Sequence, residues 1–391
     1  MKIAVVFDNM RYGGIQRVGI SHIKLLKELG HDIEAYILDR HTEKIVDELN
    51  AVVDKVKIIN FPQYLCPERY YILVERFRWG KYIFPLAFVF LLILNRIVKP
   101  FVSKTTEYDI AIAFSGHFND LNFVARGYIR THNKVCWLHG AQCDYYLMSR
   151  GFAFLYEKIK NLVVLSNTGD LFCQKIEKKF KLNVTKIYNP IKIAENKQEV
   201  DICSDITDKY GEYLLFIGRL AADKDPETII RAVHYLSTSM DTQKHLVIVG
   251  DGPKRKELEN LVEQLNISKL VHFEGMHKDV ENYYCTAKLF VHSSPLEGLP
   301  TTILEALSYE LPIVATDSIP GVKEILGDNI YGLICPVGDH KAMAESIKKL
   351  LTDDELYKGY KKNGKLRLKY FSPECIKEEL ADALVSWTNN E

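Results

Sequence analysis

Residues 2–29 read KIAVVFDNMRYGGIQRVGISHIKLLKEL. Lys2–Phe7 is a short apolar run of the kind that forms a strand buried on both faces, Gly13-Gly14 is a turn, and Gln16–Leu29 carries apolar residues at a spacing near 3.6. A strand passing through a glycine turn into an amphipathic helix is a β-α unit, the building block of parallel sheets. The alternation continues outward. Strands are predicted at Asp32–Leu38, Val56–Ile59, Ile110–Phe114, Lys134–Leu138 and Leu162–Leu165, separated by helix-length segments. From Asn189-Pro190 to Gly211 the chain is charged and aperiodic, and the pattern then restarts at Tyr213–Ile217, His245–Val249, Val271–Phe273, Leu289–His292 and Pro312–Ala315. The reading is therefore two doubly wound α/β domains, residues 1–190 and 191–371, joined near residues 189–210. Ser372-Pro373 supplies a helix start, and the segment 372–391 is expected to pack as a helix toward the first domain.

Length and composition agree. A chain of 391 residues exceeds one core of ordinary size, and 47% hydrophobic with 26% charged residues excludes a disordered, collagenous or coiled-coil protein. Lys+Arg and Asp+Glu both number 51, so no overall field draws in nucleic acid. The balance hides an asymmetry, because residues 1–190 hold 27 basic and 18 acidic side chains, and the second half carries the compensating excess of acid. The eight cysteines never fall at C-x-x-C spacing and read as reduced thiols, which suits the cytosol. With KIAVVF starting at Lys2, no signal peptide is expected.

Tyr82–Leu94 (YIFPLAFVFLLIL) is 13 residues without a charge. Between Phe61 and Lys104 lie seven basic and two acidic residues. The run is shorter than the roughly 17–25 residues of a bilayer span. Two readings stay open: a buried helix of the first domain, or an apolar surface with basic borders, about residues 61–104, that rests on an anionic membrane through residues 69–104.

Several motifs are placed to carry chemistry. Gly13-Gly14 opens a helix, so backbone amides there suit an anion, although a tight turn explains the pair equally; G-x-G-x-x-G is absent. Gly218-Arg219-Leu220 with Lys224 puts two cations after a strand, which fits a diphosphate; the alternative is a surface loop with Lys224 paired to Asp223 or Asp225. Asp223-Lys224-Asp225 lacks further ligands, so a metal is not expected. Gly250-Asp251-Gly252-Pro253 and Phe273-Glu274-Gly275-Met276 each follow a strand, and glycine turns at carboxyl ends of one sheet describe a ligand cleft. The most informative stretch is SSPLEGLPTTILEA, residues 293–306, with Glu297 in a loop and Glu305 eight positions later in a helix. Gly298, Leu299, Pro300 and Thr301 lead into a helix N-terminus suited to an anion. Glu305 suits ribose hydroxyls, while Thr302-x-x-Glu305 also fits a capping box.

Taken in order, these motifs, with Trp137-Leu138-His139-Gly140, resemble the family 4 glycosyltransferases, retaining enzymes of the GT-B fold, over nearly the whole chain. The resemblance implies two Rossmann-like domains facing each other across a cleft, with a C-terminal helix crossing back to the first. It implies a nucleoside-diphosphate sugar donor, UDP before GDP, held by Gly14, Arg219, Lys224, Gly250, Gly275, Met276, the 298–301 loop and Glu305. Glu297, His139, Arg219 and Lys224 become the catalytic set, and Gly13, Gln16 and Arg17 the acceptor side. It implies transfer of a hexose or N-acetylhexosamine without metal or cofactor, to a saccharide acceptor. Members that extend lipid-linked surface polysaccharides at the inner face of the bacterial membrane are the nearest in pattern. One departure is Asp225, where the family often has glycine after the lysine. A sugar-nucleotide epimerase of the same fold and a non-catalytic nucleotide-sugar binder remain the alternatives.

Overall fold

A computed structural model describes residues 1–11, 13–41, 45–65, 77, 79–102, 106–116, 119–139, 150–167, 182–192, 204–277 and 279–389. The chain divides into two compact units, Met1–Pro190 with Pro373–Glu391, and Ile191–Ser372.

The first unit is built on β1 (Lys2–Phe7), β2 (Asp32–Ile37), β3 (Lys55–Ile58), β4 (Ile110–Ala113), β5 (Asn133–Trp137), β6 (Lys160–Val164) and β7 (Asn183–Lys186). They form one sheet in the order β3-β2-β1-β4-β5-β6-β7, with every pairing parallel. Its helices are α1 (Gly14–Glu28), α2 (Ile45–Asn50), α3 (Gly80–Val102), α4 (Asn119–Ala125) and α5 (Arg150–Ile159). Alternation along β1 explains the layering. Ala4 and Val6 join a core with Leu121, Phe123, Leu155 and Tyr156 of α4 and α5. Phe7 faces the other way, toward α1, where a Cβ on Gly19 would lie 2.5 Å from its ring. Glycine there lets α1 sit close on the sheet.

The second unit contains α6 (Ser204–Tyr210), β8 (Tyr213–Ile217), α7 (Pro226–Ser239), β9 (His245–Val249), α8 (Arg255–Gln264), β10 (Val271–Gly275), α9 (Glu281–Thr286) and β11 (Leu289–His292). After these come β12 (Leu296–Glu297), α10 (Thr301–Ser308), β13 (Ile313–Thr316), β14 (Ile319–Pro320), α11 (Gly321–Leu326), β15 (Leu333–Cys335), α12 (His340–Thr352) and α13 (Asp354–Leu368). A parallel six-stranded sheet runs β10-β9-β8-β11-β13-β15, while β12 pairs with β14 alone. The last helix, α14 (Pro373–Thr388), belongs to the first unit, where it packs on α1 and β5 with Trp387 fully buried.

The apolar runs predict the central strands within a residue or two. They do not announce β7 (NVTK), a half-buried edge strand, or β15, which has three residues and is mostly half-buried. The 82–94 run belongs to a longer element, the 23-residue helix α3. Its Pro85–Val102 stretch is long and apolar enough to cross a bilayer by length and composition. Yet Leu91 and Asn95 are buried, and Phe88, Leu94, Val98 and Val102 pack against the core. Asn95 donates to the Leu91 carbonyl (2.8 Å) and accepts from Asn122 (3.2 Å) and Tyr128 (2.9 Å). The helix is therefore pinned on one side to α4 and the loop after it. Its other side, with Leu86, Val89, Phe90, Ile93, Ile97 and Phe101, is exposed. A fully buried helix is not what forms. Of the basic border, Arg69, Arg76, Arg78 and Lys104 lie outside the described residues.

Candidate active site

In the second unit the loops after β8, β9 and β10 are laced together by backbone bonds. Gly218 N–H donates to Val249 (3.0 Å), Leu220 N–H to Asp251 (2.9 Å) and Gly250 N–H to Gly275 (2.7 Å). This closeness is what the glycines serve. A Cβ on Gly250, whose φ is +139°, would lie 2.0 Å from the Gly218 carbonyl oxygen, and one on Gly252 would lie 2.4 Å from that of Leu220. Only glycine tolerates both the dihedral and the contact. Gly275 has φ +76°, and Met276 beside it is 79% exposed.

Lys224 ends a 3-10 turn, Ala222–Lys224, and its carbonyl accepts a hydrogen bond from Ser293 Oγ (2.8 Å), which ties the β8 loop to the end of β11. Lys224 Nζ donates to Glu297 Oε1. Glu297 is placed by β12, where it pairs with Pro320. His292 Nε2 lies 3.6 Å from the same carboxylate oxygen. Neither ring nitrogen of His292 is hydrogen-bonded, and burial pushes its pKa down to about 4, opposed by Glu297, so it is neutral at neutral pH. Lys224 thus pairs across the loops with Glu297, and with neither Asp223 nor Asp225. Arg219 takes Asp223 instead (2.9 and 3.0 Å) in an exposed pair, and Asp225 accepts from Thr228 Oγ1 (2.6 Å). Exposed pairs contribute about 0–1 kcal/mol, so Arg219 can leave Asp223 for an anion at little cost. Asp225 has φ +43° and ψ +51°, the left-handed region, which is why glycine suits this position and why aspartate, tolerant of that region, can replace it.

The capping box does not form. Thr302 lies inside α10, whose N-cap is Pro300 with no side-chain cap, and Glu305 Oε2 accepts from the Tyr284 hydroxyl (2.8 Å). Tyr284 is buried and stacked on Tyr309, with ring centroids 5.4 Å apart, so the carboxylate of Glu305 is held by a fixed donor. Gly298, Leu299 and Pro300 are buried, and Gly321 lets the α11 backbone approach Gly298, since a Cβ there would meet its carbonyl oxygen at 2.4 Å. The first-turn amides beginning at Thr301 lie at the positive end of the α10 dipole.

In the first unit Gly13 is extended (φ −170°) and caps α1, with Gly14 exposed behind it. Gln16 is buried and donates to the carbonyl and side-chain oxygens of Asn9 (3.3 Å each), holding the loop, while Arg17 is exposed. His139 follows β5; its Nε2 donates to the Phe114 carbonyl (2.8 Å), and its ring packs on Phe114 at 4.7 Å. Gly140 lies outside the described residues.

Four residues beside these loops escaped the sequence reading. His22 packs against Trp137 with the rings tilted (centroids 4.4 Å apart), and burial, with His139 nearby, lowers its pKa to about 3. Asp120 accepts from the amides of Ser115 (2.6 Å) and Gly116 (2.8 Å); burial, then repulsion from Asp8, pushes its carboxyl up to about 7. Ser293 and His292 are the others. Asp8 directly follows β1 and Asp120 stands in the first turn of α4, while His22 sits in the middle of α1; none of them belongs to a motif that marks it. Among the described residues no group of three His, Cys, Asp or Glu could hold a metal ion.

Two parallel-sheet units of this kind make up the GT-B fold, and in the second of them cations, carboxylates and a helix N-terminus stand at the carboxyl ends of the strands. Residues 204–367, most of the second unit, match the family described as glycosyl transferases group 1. It is 27% identical, over 97% of both chains, to the GalNAc-alpha-(1->4)-GalNAc-alpha-(1->3)-diNAcBac-PP-undecaprenol alpha-1,4-N-acetyl-D-galactosaminyltransferase of Campylobacter jejuni. Among solved structures it resembles Anabaena HepE in complex with UDP (TM-score 0.75, 17% identity, 99% of this chain and 100% of that one). It also resembles S. aureus TarM (TM-score 0.68, 14% identity, all of both chains).

Proposed function

We propose that this glycosyltransferase moves a hexose or N-acetylhexosamine from a UDP-sugar, with retention and without a metal, to a lipid-linked saccharide on the inner face of the cell membrane. The observation that carries the reading is the half-buried Lys224–Glu297 pair at the carboxyl ends of β8 and β11, a cation and an anion held side by side where a parallel sheet takes its ligand. Breaking the bond to a nucleoside diphosphate leaves negative charge on the phosphates and positive charge on the sugar. Arg219, Lys224 and the amides at Thr301 serve the first. Glu297 serves the second. Glu305, oriented by Tyr284, takes the ribose, and Gly275-Met276 borders the base. Gly250, Gly298, Leu299 and Pro300 of the second unit and Gly14 of the first are assigned to the donor; Gly13, Gln16 and Arg17 are assigned to the acceptor, and His139 to the transferred sugar.

The Campylobacter relative's undecaprenol-linked acceptor and the UDP bound by HepE favour the lipid-linked acceptor and the uridine donor. The exposed apolar side of α3 favours a protein that lies on a membrane. Thermal unfolding with UDP, GDP, ADP and NAD tests the donor: a ligand at 100 times its dissociation constant adds about 2.7 kcal/mol to the native state. UDP alone is expected to raise the midpoint. No shift with any diphosphate would overturn the site.

A further inference from the structure

A cluster of cations lies at the amino-terminal end of the first unit's sheet. Lys134 and Lys160 occupy the amino-terminal parts of β5 and β6, away from the loops that carry Gly13 and His139, and they face each other directly across the two strands. With Arg96 and Lys99 of α3, Arg126 after α4 and Lys158 of α5, they line a cavity of about 810 Å³. Glu157 is the one acid on its wall. Among the described residues none of the six cations has an ion-pair partner. Lys99 and Lys134 donate to the carbonyls of Arg126 (3.0 Å) and Ala125 (3.2 Å), Arg126 Nε to Asn122 (2.6 Å), and Lys158 lies over the Phe154 ring. Arg126 Nη2 is buried with no hydrogen-bond partner. Burial lowers the pKa of Lys134, and Lys158 and Lys99 lower it further. Like charges paired across strands oppose folding, so an anion held in this cavity would relieve the repulsion and stabilise the unit.

The helix says which anion. In α3, Leu92, Arg96 and Lys99 share one flank by the 3.6 period, and the adjoining face carries the exposed Leu86, Val89, Phe90, Ile93 and Ile97. Trp79 and Tyr82 at one end and Phe101 at the other are exposed as well, the aromatic borders of an interfacial helix. A polyanion in solution would gain nothing from that apolar face. We propose that the cavity takes the phosphate headgroup of an anionic lipid while the apolar face of α3 rests among the acyl chains. The inference rests on the membrane-surface reading above and adds a stoichiometric site to it.

The test is flotation with vesicles of phosphatidylcholine alone and with about 30 mol % phosphatidylglycerol, a composition that gives an anionic surface. Arg96→Gln with Lys158→Gln changes two exposed cavity residues, so the fold is retained. At about fivefold per basic residue, the double variant should bind anionic vesicles about 25-fold more weakly and neutral vesicles as the parent does. Lys24→Gln with Lys377→Gln removes the same charge from α1 and α14 on the opposite face of the sheet, and should change binding less than about twofold. Phe90→Ser with Ile97→Ser should lose binding to both vesicle types. If this last variant floats like the parent, the membrane reading itself fails. If it does not float but the cavity variant binds like the parent, the lipid site alone fails. Stabilisation by soluble glycerol phosphate that needs Arg96 and Lys158, with no vesicle binding, would reassign the cavity to a free phosphate and overturn the lipid.

Discussion

Lys224 and Glu297 hold each other with side chains 28% and 13% exposed, which makes their pair the most informative place to intervene. Removing one partner of a fully buried pair costs about 3–5 kcal/mol, because the other charge is left uncompensated; the partial exposure here lowers that to roughly 2 kcal/mol. Lys224→Gln and Glu297→Gln should each destabilise the second unit by that amount. The double variant puts two neutral amides where the ions were, so most of the loss should return, to within about 1 kcal/mol of the parent. Transfer should behave differently. If Lys224 stabilises the departing diphosphate, its loss costs about 10²–10³ in kcat, the cost of removing one preorganised donor. No neutral partner restores it. Denaturant unfolding and nucleoside-diphosphate release, measured on all four proteins, separate the two effects. Stability should recover in the double variant and turnover should not. A double variant that regains turnover within tenfold of the parent would refute the argument, since the pair would then be a structural tie and nothing more.

Three further outcomes follow from the same geometry. Glu305→Ala should weaken nucleotide binding by calorimetry, whereas His139→Ala should leave nucleotide binding intact and abolish transfer; active His139→Ala would remove His139 from the site. Gly250→Ala forces a Cβ to 2.0 Å from the Gly218 oxygen at φ +139°. It should cost about 3 kcal/mol and lower the unfolding midpoint by roughly 6–12 °C. Asp120 keeps its proton in the native state up to about pH 7 but has an ordinary value of 3.8. Between those values the native state binds more protons than the unfolded chain, so stability falls as pH rises through that window, by up to about 1.4 kcal/mol per unit. Asp120→Asn should remove this slope from denaturant unfolding measured between pH 5 and 7.

The fold was legible because strands buried on both faces write themselves as apolar runs, and β1, β8, β9 and β11 are such strands. β7 was not, since an edge strand needs no apolar face toward solvent. Site residues were legible as motifs, yet their pairing was not: Lys224 and Glu297 stand 73 positions apart and meet only because β8 and β11 are neighbours in the sheet. For Asp225 the sequence marked a departure from pattern, and the backbone explains it through a left-handed dihedral. The glycines after β9 read as room for a ligand, and the structure adds a second reason for them, the close passage of the Gly218–Leu220 backbone.

Helix α3 shows where composition alone fails. Its run of apolar residues cannot say which side is covered, because both sides are apolar. The polar residues decide it. Asn95, buried on the inner side, is bonded to Asn122 and Tyr128, and Tyr128 donates also to the Asn95 carbonyl (3.1 Å). Drawing α3 out of the unit to span a bilayer would strand these groups, at about 1–3 kcal/mol for each one left without a partner, and would uncover Phe88, Leu94 and Val98 from the core. Laying the helix on a surface disturbs none of them. The outer side then covers Phe90, Ile93 and Ile97, which are otherwise exposed to water at a cost near 25 cal/mol per Å² of apolar area. On the membrane-surface reading proposed above, a helix held on its inner side by the Asn95 bonds and apolar on its outer side rests on a bilayer without crossing it.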